Sequence, residues 1–200
     1  MLDVGTVGDP QLHLIETDLA SDAQPYATLS HCWGQVEFMK LKKDNFRDMV
    51  QSITISELPK TFRDAVVVTR RLGIPFLWID SLCIIQDSPE DWATESSSMR
   101  SIYKNCLVNI AATAAVDGSI GCFFDRVPVF ARPCRIRVKK ECMHDFVASS
   151  TWLDSVNHAP LYQRAWVIQE QLLAPRVLHF GEKQVFWECN ELVSSRVYFL

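Results

Sequence analysis

The apolar positions of this 200-residue chain change period several times, and each change marks an element. Phe76-Leu-Trp-Ile79 is a continuous apolar run, too short for a helix, bounded upstream by Gly73 and Pro75 and closed by Asp80. That is the pattern of a strand buried on both faces, at home in the centre of a parallel sheet. Tyr26-Ala-Thr-Leu-Ser-His-Cys-Trp33 reads as a second strand, ending at Gly34, which permits a sharp turn and a close approach of the backbone to a ligand. Between the two, Phe62, Ala65, Val66, Thr69 and Leu72 recur at helical spacing after Leu58-Pro59, with Gly73 as the stop. Strand, helix and strand in that order predict a right-handed parallel crossover.

Ser88-Pro-Glu-Asp91 is a helix start: a hydroxyl cap, proline at the first position and acids in the first turn. The helix is expected to run to about residue 105 and to bury Trp92, Met99, Ile102, Tyr103 and Cys106. Glu95 borders that face, an expensive place for a carboxylate without a partner. Residues 107–116 read as a third buried strand, and 163–173 as a helix stopped by Pro175. Residues 177–180 and 185–189, joined through Gly181-Glu-Lys183, predict a β-hairpin. Leu12 and Leu14 suggest an edge strand, and 44–53 a weak helix. Residues 117–160 look like a β-rich insertion, with a ribbon at 134–140 whose Arg135, Arg137 and Lys139 form a solvated face. The expected fold class is α/β: one domain over 1–200 with its core at about 26–190, a mostly parallel sheet flanked by helices, the β-rich insertion and a C-terminal hairpin. The apolar Val-Tyr-Phe-Leu ending reads as that of a piece of a longer protein.

Composition narrows the function. With 20 basic against 24 acidic residues the net charge is −4, which argues against a nucleic-acid binder held by phosphate contacts. No run reaches the about 18 apolar residues of a membrane span, and the acidic start lacks the basic and apolar regions of a secretory signal. Seven cysteines without a Cys-x-x-Cys pair point to a reduced, cytoplasmic protein. The same dispersal of cysteine and histidine excludes a tetrahedral zinc site and predicts no metal. A cysteine hydrolase using Cys32 or Cys83 is a further reading, but adjacent His31 and Cys32 point to opposite faces of a strand and cannot form a dyad. No glycine-rich nucleotide loop follows a strand. Polar groups instead crowd the end of the central strand, with Asp80, Ser81, Cys83, Gln86 and Asp87 where open α/β sheets bind ligands.

Three blocks together resemble the fungal heterokaryon-incompatibility (HET) domain: Tyr26-Ala-Thr-Leu-Ser-His-Cys-Trp-Gly34, Leu77-Trp-Ile-Asp-Ser-Leu-Cys-Ile-Ile-Gln86 and Arg164-Ala-Trp-Val-Ile-Gln-Glu170. The links Leu58-Pro-Lys-Thr-Phe62, Asp91-Trp92 with Glu95, Met99 and Ile102-Tyr103, and Gly121-Cys-Phe123 match in order. The family often has tyrosine at the position of His31 and asparagine at that of Ile85, so neither residue is assigned an obligatory role. The resemblance implies non-self recognition ending in cell death, and a distant similarity to Toll/interleukin-receptor (TIR) domains, whose fold is flavodoxin-like. Some TIR domains cleave NAD with a glutamate on a Trp-x-x-x-Glu helix, a spacing held here by Trp166 and Glu170. The implied site has Glu170 as the catalytic carboxylate, Glu95 as its rival and Asp80 orienting a hydroxyl. Ser30, Trp33, Gly34 and Trp166 are the implied ligand-binding positions, with NAD as substrate and no bound cofactor. The alternative is a non-catalytic module acting by homo-oligomerisation downstream of an unknown recognition protein.

Overall fold

In the computed structural model the strands are β1 (Leu2–Asp3), β2 (Gln11–Leu14), β3 (Tyr26–Ser30), β4 (Ile53–Thr54), β5 (Phe76–Trp78), β6 (Val108–Ala111), β7 (Cys134–Lys139), β8 (Cys142–Phe146), β9 (Arg176–Phe180), β10 (Val185–Cys189) and β11 (Leu192–Arg196). The helices are α1 (Phe46–Gln51), α2 (Lys60–Arg71), α3 (Asp80–Cys83), α4 (Pro89–Asn105) and α5 (Val167–Leu173). The structure describes residues 1–16, 24–126, 134–139, 142–146, 152–164 and 166–196.

Nine strands form one sheet in the order β11-β10-β9-β6-β3-β5-β1-β2-β4. Parallel pairing is confined to its centre, where β3 lies between β5 and β6, and β6 pairs with β9. The other five pairings are antiparallel. The sheet is therefore α/β but not mostly parallel, a correction to the sequence-based expectation. The runs buried on both faces reported only the central strands. The pairs β1–β2, β9–β10 and β10–β11 are joined by connections too short for a crossover, which forces them antiparallel, and β1–β5 and β2–β4 add antiparallel pairs between strands distant in the chain.

Side-chain alternation along these strands divides the core in two. Ala27, Leu29, Leu77, Ile79 and Ile110 pack with Phe62, Ala65 and Val66 of α2 on one face. Tyr26, Trp78 and Ala111 pack with Ile102 and Tyr103 of α4, Leu161, and Val167 of α5 on the other. Phe62 is fully buried, and its truncation to alanine would cost about 3–5 kcal/mol. The same alternation aims Thr28, Ser30 and Asn109 at the side covered by α4 and α5.

α4 starts as its sequence dictates: Ser88 caps it, its Oγ accepting from the Asp91 N–H at 3.5 Å, with Pro89 at the first position. The helix expected over 163–173 is shorter. Pro160–Gln163 forms a 3₁₀ turn, and Arg164 is extended at φ −89°, ψ 129°, so α5 begins only at Val167. That break frees the Arg164 guanidinium to donate to the His31 carbonyl. β7 and β8 pair as a separate two-stranded ribbon, and the basic side chains expected to line it lie outside the described residues. Among the described residues no helix is long and apolar enough to cross a membrane.

Candidate functional site

The four parallel strands run β5-β3-β6-β9, so chain order reverses between β3 and β6. Crevices in open α/β sheets lie at the carboxyl ends of strands beside such a reversal. Ser30 is the last residue of β3, and Asn109 sits beside it on β6. Both are buried, so their polar groups need partners. Thr28 Oγ1 donates to Asn109 Oδ1 at 3.1 Å, and Asn109 Nδ2 donates to Ser30 Oγ at 3.0 Å. Ser30 Oγ in turn donates to Glu170 Oε2. Three donors in series thus end on one carboxylate, an arrangement in which each bond polarises the next.

Glu170 is only 5% exposed. Burial pushes its pKa up, with Asp80 adding to the rise, while the bonds from Ser30 and Tyr103 and the charge of Arg164 oppose it. Burial likewise raises the Tyr103 hydroxyl well above the ordinary tyrosine value, helped by Glu170 and Asp80, so that hydroxyl stays a donor. Glu170 opens onto a cleft of about 470 Å³ between α4 and α5. Trp33, Asp80 and Tyr103 share the cleft wall with it, and Trp92 and Trp166 stand at the mouth, 57% and 66% exposed. Arg100 and Arg164 bring positive charge to the same hollow.

Asp80 begins α3, its Oδ1 accepting from the Ser81 N–H at 2.7 Å and its Oδ2 from Trp33 Nε1 at 3.0 Å. His31 lies behind that pair. It is 1% exposed, its Nδ1 is 3.8 Å from Asp80 Oδ1, and neither ring nitrogen has a hydrogen-bond partner. Burial holds its pKa below the ordinary 6.5 against the pull of Asp80, so the ring is neutral at pH 7. Phe62 packs edge-on against it at 4.8 Å.

The structure sorts the implied site residues. Glu170, Asp80, Trp33 and Trp166 converge on the cleft. Ser30 lies beneath it, its hydroxyl spent on Glu170 rather than free for a ligand. Gly34 turns away at φ 65°, where a Cβ would collide with the Asp117 side chain. Glu95 does not face Glu170. With Asp91 and Ile102 it lines a separate hollow of about 300 Å³ on the other side of α4. Trp92, expected in the core, faces the cleft instead. Burial raises the thiol pKa of both Cys32 and Cys83, which leaves neither a ready nucleophile. The sequence reasoning missed Asn109 and Tyr103. The signal for Asn109 was a lone amide inside an apolar strand, which must find a partner.

A carboxylate at the floor of a mixed polar and aromatic cleft, beside a chain reversal, sits where open α/β sheets place their ligand crevices. Residues 26–170 match the family model for heterokaryon incompatibility protein (HET), and the chain belongs to that family. Neither a curated protein nor a solved structure matches it.

Proposed function

We propose that this HET domain triggers cell death by hydrolysing NAD at the nicotinamide–ribose bond, with Glu170 as the catalytic carboxylate. The observation that carries the reading is the burial of Glu170 at the cleft floor, hydrogen-bonded by Ser30. A carboxylate held away from bulk water has lost hydration that would screen it, so a nearby cation is attracted to it strongly. The nicotinamide ring is cationic, and the sugar becomes oxocarbenium-like as its bond breaks. The C1′–N bond electrons pass to the ring nitrogen, which leaves neutral and needs no acid. Water then bonds to C1′ and gives up one proton to solvent, which leaves ADP-ribose and neutral nicotinamide. One carboxylate is enough, where ordinary glycosidases need two. Trp33 and Trp166 offer faces for the ring, and Asp80 lies within the same hollow to hold a ribose hydroxyl. The TIR-like Trp-x-x-x-Glu spacing fits this reading, placing the tryptophan at the mouth and the glutamate below it.

The test is free nicotinamide from purified protein incubated with NAD. Release that disappears in Glu170→Gln supports the reading. No release, even from an oligomerised form, ends it.

A second reading is favoured by a different observation. Ile168 and Leu172 on α5 are exposed beside Trp166, an apolar strip suited to self-association. In that case toxicity on expression survives Glu170→Gln and is lost with Ile168→Asp/Leu172→Asp.

A further inference from the structure

We infer that the ligand's phosphate groups are held on the α4–α5 side of the cleft, with Arg100 as the primary phosphate-binding residue, and not at the Trp33–Gly34 turn. This rests on the proposed nucleotide substrate and fixes which way round it lies. Three observations carry it.

First, Arg100 lines the cleft with no hydrogen bond or ion pair to any described residue, and Arg164 lines the same wall. A guanidinium with no described partner on the wall of a hollow, in a chain of net charge −4, is suited to a phosphate, whereas Arg164 is already committed to the His31 carbonyl. Second, the Trp33–Gly34 turn, whose backbone N–H groups would be the other candidate cradle for phosphate, is closed to anions. Gly34 is not part of the cleft wall, and it packs on Asp117. The Ser119 hydroxyl and N–H hold that carboxyl below the ordinary range, so it stays charged and repels phosphate. Third, the carboxylates and Arg100 lie on different parts of the cleft. Asp80 and Glu170 lie at its floor with Trp33, where Arg164 is tied to the His31 carbonyl, whereas Arg100 follows Trp92 and Ser96 along the α4 wall at helical spacing. A cationic ring therefore belongs at the floor, and the diphosphate with its second base belongs towards Arg100 and the exposed Trp92.

The experiment measures two quantities on the full chain and on Arg100→Gln: binding of ADP-ribose, followed by quenching of tryptophan fluorescence, and nicotinamide release from NAD and from nicotinamide riboside, which lacks phosphate. The expected result is an about tenfold weaker ADP-ribose affinity and an about tenfold higher KM for NAD in the variant. The KM for nicotinamide riboside should be unchanged, and Glu170→Gln should still bind ADP-ribose. Arg100→Lys should recover part of the affinity.

Cleavage of NAD with ADP-ribose affinity and KM indifferent to Arg100 overturns this inference and leaves the proposed function standing. Arg100-dependent ADP-ribose binding without nicotinamide release supports the inference and overturns the catalytic reading. No ADP-ribose binding up to millimolar concentration overturns the phosphate site itself.

Discussion

One helix, α4, separates two hollows, and the two glutamates that compete for a catalytic role lie on opposite sides of the division. Positions 92, 96, 99 and 103 face the Glu170 cleft, while 91, 95 and 102 face the other hollow. Both sets follow helical spacing, so the division is a direct product of 3.6 residues per turn. Burial raises the pKa of both Glu170 and Glu95, yet only one is built into a network. Glu170 accepts from the Ser30 hydroxyl, which restrains its rotamer. Glu95 has Asp91 raising its pKa and the Met1 ammonium opposing the rise, and no hydrogen bond to a described residue. A shifted pKa therefore marks burial, and the surrounding donors distinguish a positioned carboxylate from a merely confined one.

The sharpest way to break this comparison is catalytic. Glu170→Gln is expected to lower nicotinamide release by about 10²–10³-fold, while Glu95→Gln stays within about twofold of the parent. Equal losses would mean that α4 does not isolate the two hollows. A smaller effect tests the network itself. Ser30→Ala removes the last donor, so Glu170 should bind its proton more tightly and kcat should fall about tenfold at pH 7. If the ionised carboxylate is the active form, the rising limb of the pH–rate profile moves to higher pH in Ser30→Ala. A profile unmoved by the substitution would make Ser30 a packing residue only.

The strands and helices that carry this site were legible because their apolar periods are clean. The β3–α2–β5 crossover, α4 with its Ser88-Pro89 start and the β9–β10 hairpin all follow from local pattern. Glu170 and Asp80 were legible through position and resemblance. What was hidden is what depends on contacts distant in the chain. Ser30 and Glu170 are 140 residues apart, and no local rule pairs them. The orientation of α4 was misread because Trp92 was assumed to seek the core, whereas a helix lining two hollows has no single apolar face. The antiparallel flank of β1, β2 and β4 was hidden because β1 and β4 contain two residues each, too few to show any period.

Stability offers a third, quieter test. Glu170 has a raised folded pKa, so its contribution is fully present below the ordinary carboxylate value of 4.5 and is lost as pH rises through the folded value. Glu170→Gln should remove that loss, gaining about 1 kcal/mol at neutral pH, or roughly 2–4 °C in Tm for a chain of this size. His31 acts with the opposite sign. Its folded pKa lies below 6.5, so the stability it contributes is present above that value and is lost as pH falls towards the folded value. His31→Phe should flatten the acid limb of the stability curve.

The smallest expected effect is that of Glu95. Its pKa is also raised, so Glu95→Gln should stabilise in the same direction as Glu170→Gln and over the same side of pH 4.5. Glu95 is only half-buried, however, and solvent screens much of the penalty, which limits the gain to about 0.5 kcal/mol or less. No donor network is disturbed by the change, so urea unfolding should show an unchanged m-value and a small rise in midpoint. A gain equal to that of Glu170→Gln would show that the two hollows are equally dry. The network on Glu170, and not its burial, would then be all that separates the two carboxylates.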